Sequence, residues 1–93
     1  MSLRDTDQRC PPPASFLALD PTLPIDTAIE RHDLCEALAR QLAEVAHTYM
    51  GRDGVLFHDV LPRCRRVAES PDIGLSETEV GWVLTRVREL IRG

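Results

Sequence analysis

The chain has 93 residues, a net charge of −4 and 43% apolar residues, but only 4% aromatics. One small domain follows, with a core of Leu, Val, Ile and Ala, a composition that suits helices packed on helices. An acidic chain gains little from a phosphate backbone, and no apolar run approaches the roughly 20 residues of a membrane span, so nucleic acid and membrane are disfavoured partners.

All eleven basic residues are arginine, a bias that fits a GC-rich bacterial coding sequence. The N-terminus lacks a signal-peptide core, which points to the cytoplasm. Cys10, Cys35 and Cys64 are an odd number without paired spacing, so no disulfide framework is expected. Charge is uneven: residues 1–51 hold four Arg against eight Asp plus Glu, while residues 52–93 hold seven of each sign.

Residues 1–25 read as an extended, proline-rich arm, and residues 26–93 as a helical domain. Five of the seven prolines precede residue 26, and Cys10-Pro11-Pro12-Pro13 has the composition of polyproline II. The patch Phe16-Leu17-Ala18-Leu19 favours an arm laid over the folded part, because a purely solvated tail rarely carries such residues.

Thr27-Ala-Ile-Glu30 has the form of a capping box, which starts helix 1 near Asp26 or Thr27. The helix runs to about Met50, with Gly51 as its stop. Leu34, Leu38, Leu42, Val45 and Tyr49 line one face, flanked by Cys35, Ala39 and Ala46. Glu36 and Arg40 form an i,i+4 pair in the favourable order. At roughly 35 Å this helix exceeds what a compact three-helix core needs, and surplus apolar length of that kind often belongs to a dimer.

Arg52-Asp53-Gly54 reads as a turn, and Val55-Leu56-Phe57 as a very short strand. Asp59 is the expected N-cap of helix 2, with Pro62 in its first turn. Val60, Leu61, Cys64, Val67 and Ala68 are assigned to the core, while Arg63, Arg65 and Arg66 point out. Residues 70–74 break this helix. Ser76-Glu-Thr-Glu79 is a second capping box that opens helix 3, with Leu75 and Val80 as a hydrophobic staple. The helix 3 stripe is Val80, Val83, Leu84, Val87, Leu90 and Ile91. Gly81, costly by about 1 kcal/mol in a helix interior, marks a place where another backbone approaches.

Trp82, the single tryptophan, lies opposite that stripe beside Thr78, Thr85, Arg86 and Glu89. A large aromatic on a polar face needs a cover. Three covers are compatible with the residues: the chain's own arm through prolines 11–13 and Phe16, a second copy, or another macromolecule. Trp82 and Arg86 form an i,i+4 pair of the residue types that dominate interface hot spots.

Other chemistry is weakly represented. His32 and Cys35 are three apart, with His47, His58 and Cys64 elsewhere, but zinc sites announce themselves by two close ligand pairs. Cys10, in a flexible setting, is expected to be exposed and oxidisable but not catalytic. Neither a phosphate loop nor a nucleophile elbow is present, and Arg52-Asp53-Gly54 lacks the oxygen ligands of a calcium loop. No enzyme activity, metal or cofactor is expected.

The order strand, helix, break, helix over residues 55–91 resembles part of a winged-helix domain. That resemblance implies a DNA-binding regulator whose helix 3 enters the major groove by its outer face. The face offers Arg86 as its one arginine against Glu77 and Glu89, which is poor chemistry for phosphate, and the chain ends at Gly93 without a C-terminal wing.

The residues therefore point to an all-α, three-helix domain with a long first helix and an extended arm. The expected role is a small cytoplasmic interaction or accessory protein, acting as a homodimer. Trp82, Arg86, Thr78, Glu89 and Phe16 are its candidate interface. A helix-turn-helix-like DNA-binding regulator is the alternative.

Overall fold

The computed structural model describes residues 12–92. They form four helices and no strand: α1 (Ala14–Leu17), α2 (Ile25–Arg52), α3 (Phe57–Ala68) and α4 (Glu77–Arg92). The class is all-α. The expected strand at 55–57 is absent because no second strand lies beside it to complete a ladder. Instead, Leu56 is an extended N-cap and Phe57 already belongs to α3.

The arm departs from a fully extended course. Pro13 is extended, but its carbonyl accepts the Phe16 amide at 2.9 Å and starts one helical turn. Asp20 then closes a turn, its Oδ1 accepting the Thr22 amide at 3.1 Å.

α2 starts earlier than its sequence signals suggest. Ile25 follows Pro24 at the N-cap, so Thr27 falls within the first turn and Thr27–Glu30 is no capping box. The helix passes through Gly51 and ends at Arg52. Gly54, at φ +69°, supplies the left-handed turn that sends the Val55 amide back to the Tyr49 carbonyl at 3.3 Å. α3 likewise begins two residues before Asp59, which lies in its first turn, and Pro62 sits inside the helix.

The second capping box does form. Ser76 Oγ accepts the Glu79 amide at 3.2 Å, and Glu79 Oε1 accepts the Ser76 amide at 2.9 Å. Leu75 and Val80 both join the core.

The four-residue connection 53–56 turns α3 back along α2. α4 runs parallel to α2, because Arg31 pairs with Glu79 and Glu36 with Arg86. The chain therefore goes up, down and up. The α2 face beneath this packing is small: Ala28, Cys35, Ala39, Ala43 and Ala46 are buried with Leu42. Small side chains let α4 approach closely, and its Val80, Val83 and Val87 fill the space.

This corrects the face assigned to α2 from sequence. Leu34 and Val45 lie at the edge, 40% and 44% exposed, because the helix is rotated toward its alanine and cysteine line. Val67, also assigned to the core, is 47% exposed.

Candidate interaction site

Trp82 lies on the α4 flank that faces back toward α2 and the arm. Its indole is half-buried, and its cover within the chain is built from two elements. Phe16 packs edge-on at 5.3 Å between ring centroids, and His32 of α2 does so at 5.4 Å. Phe16 and His32 also meet at 5.3 Å, so the three rings close a triangle. Trp82 Nε1 donates to Ser15 Oγ at 3.1 Å, which satisfies the one polar atom of the indole. Phe16 is 3% exposed and belongs to the core. It holds the tryptophan from inside and offers no surface outward. His32 Nδ1 is buried without a hydrogen-bond partner among the described residues.

Beside the triangle, α2 and α4 border an open groove of about 950 Å³. Pro13, Ser15 and Leu19 of the arm stand at its end, Asp33, Glu36 and Arg40 on its α2 wall, and Thr78, Gly81, Trp82, Thr85, Arg86 and Glu89 on its α4 side. Four of the five candidate interface residues thus share one concavity; the fifth, Phe16, lies beneath it. Gly81 has a different role from the one read in sequence. A Cβ there would meet nothing within 4 Å, so no backbone of the described chain approaches it.

The groove walls are joined by charge. Arg86 Nε donates to Glu36 Oε1 at 2.9 Å and Nη2 to Glu36 Oε2 at 3.0 Å. Arg40 Nε donates to the same carboxylate at 2.8 Å, and Arg86 Nη1 to Glu89 at 3.2 Å. The expected Glu36–Arg40 pair is therefore part of a larger network, and the Arg86 guanidinium is committed to it. These partners, the Arg86 hydrogen bond first, hold the Glu36 carboxyl below the ordinary carboxylate value despite partial burial.

A second clamp fastens the start of α4. Arg31 grips the Glu79 carboxylate through Nε, at 2.9 Å, and Nη2, which also donates to the Gly74 carbonyl at 3.1 Å. Glu79 is 7% exposed and its carboxyl is lowered, chiefly by the Arg31 hydrogen bond. Arg31 and Glu36 flank the buried Cys35–Ala39 line, so α4 is held by an ion pair on either side.

Among the described residues no group of three or more His, Cys, Asp or Glu could hold a metal. Cys35 is fully buried, and burial pushes its thiol up to about 12, while burial also raises that of Cys64. Both are packing residues with little thiolate at neutral pH. Cys10 and Pro11 of the arm lie outside the described residues. No helix is long and apolar enough to cross a membrane among them.

Sequence reasoning singled out Trp82 and Phe16 but missed Ser15, His32 and Glu36 as partners in this site. Their contacts to α4 cross 50 to 67 positions of chain, and no local pattern marks them. No family model, curated protein or solved structure matches the chain.

Proposed function

We propose that this is a small, non-enzymatic interaction or accessory protein of the bacterial cytoplasm, which works as a homodimer and presents the α2–α4 groove to a protein partner. The observation that carries the reading is the groove: an open concavity with the indole edge and the bare Gly81 backbone on one side and fixed charges on both. Arg86 is held by Glu36 before any partner arrives, which lowers the ordering cost of binding. Trp82 and Arg86 anchor, Thr78 and Glu89 border the contact, and Phe16 keeps the indole in place.

A DNA-binding role is the second reading, on the helix–break–helix order of α3 and α4 alone. The groove opposes it, since Asp33, Glu36 and Glu89 outnumber Arg40 and Arg86 there.

Affinity capture from extracts of the source cells tests the choice, using the full chain, Thr85→Trp to fill the groove, and Glu44→Ala as a surface control. The expected result is a protein partner held by the wild type and the control but lost with Thr85→Trp. The same captured set with all three overturns the groove as the site. Tight, steeply salt-dependent gel shifts with genomic DNA overturn the class.

A further inference from the structure

α2 leaves one strip of its surface unfilled. Leu34, Leu38, Gln41, Val45 and Thr48 follow in alternating steps of four and three residues, the spacing of a seam between helices. Leu38 is half-buried, while Leu34 and Val45 are exposed. α3 widens the strip. The Arg63 guanidinium lies 5.1 Å from the centre of the Tyr49 ring, so that flank of α3 borders α2. One turn onward from each in this antiparallel pair come Val67 and Val45.

We infer that this strip is the seam of a two-fold dimer, in which a second copy lays its α2 antiparallel across the first. The inference rests on the homodimer reading above and is independent of the groove. The strip is complementary to itself about its own midpoint. An axis near residue 40 sets Leu34 against Val45 of the second copy and Leu38 against its Gln41.

Charge selects the antiparallel direction. The same register brings Arg52 of the second copy level with Thr27, between Asp26 and Glu30. None of these three charged residues has an ion-pair partner among the described residues. Two such crossings form, one at each end of the seam. A parallel arrangement would instead set arginine beside arginine and the carboxylates beside each other.

Sedimentation velocity on the full chain at high micromolar concentration tests the seam. The wild type is expected to be a dimer, and Val45→Arg and Leu34→Arg each monomeric with unchanged circular dichroism, since both positions are exposed. Arg52→Glu, and separately Asp26→Arg with Glu30→Arg, should each weaken dimerisation by roughly tenfold or more. Mixing these two charge-reversed proteins should restore a heterodimer, because both of its ends then pair opposite charges. A monomeric wild type overturns the seam together with the homodimer reading. A dimer indifferent to Val45→Arg and Leu34→Arg overturns the seam alone. Failure of the mixture to associate overturns the antiparallel register.

Discussion

On the flank of α2 that carries His32 and Glu36, side chains are engaged by other elements of the same chain: two rings meet His32, and Arg86 of α4 grips Glu36. On the flank that carries Leu34 and Val45, these side chains stand 40% and 44% exposed, and Val67 of α3 is 47% exposed. One helix thus has a polar flank closed within the chain and an apolar flank left open. The difference follows from how α4 is seated. It packs on the alanine and cysteine line between Arg31 and Glu36, which rotates the larger residues to the edge. Close packing of small residues takes precedence over burying the largest ones, and the remaining apolar surface becomes available to a partner.

The closed flank breaks most severely at Phe16. Phe16→Ala removes the ring that spans both Trp82 and His32 and should cost about 3 kcal/mol in chemical denaturation. Trp82 emission should shift to the red in the folded protein. An unshifted spectrum would mean that the indole cover does not depend on the arm.

Arg31→Ala tests the seat of α4 that both flanks share. It strands the buried Glu79 carboxylate, and with Arg31 about a third exposed the expected loss is about 2 kcal/mol, measured by urea unfolding. Acid should act on the same two clamps. Glu36 and Glu79 have folded values below the unfolded one, about 4.3. Their stabilisation is complete above that value and is lost as the pH falls below it through the folded values. Urea titrations between pH 6 and pH 3 should show that loss in the wild type and a smaller one in Glu36→Gln, which keeps a single clamp.

Ser76→Ala, which removes one half of the capping box, should cost about 1 kcal/mol. The smallest effect has the opposite sign. Gly81→Ala should stabilise α4 by roughly 0.5–1 kcal/mol, because the added methyl group meets open groove and the helix interior favours alanine. A loss of stability there would show that the groove floor is already occupied.

The sequence made some of this comparison legible. The reciprocal Ser76–Glu79 pattern is local, so its spacing alone located the start of α4 to within a residue. The isolation of Trp82 from the α4 stripe called for a cover, and Phe16 was a visible source of one. The Glu36–Arg86 link was not legible, because fifty residues separate partners that only the parallel course of α2 and α4 brings together. The core face of α2 was misread for a related reason. Periodicity weights large side chains, whereas the depth of packing depends on which neighbour sits closest, and here α4 sits on alanines.

The separateness of the two flanks is tested most directly by following Trp82 while the proposed dimer is diluted apart. Sedimentation velocity and acrylamide quenching of Trp82 fluorescence are measured over the same concentration series. The expected result is a fall from dimer to monomer with quenching unchanged, since Ser15, Phe16 and His32 of the same chain cover the indole. Quenching that rises in step with dissociation, or a monomer at every concentration, would contradict it.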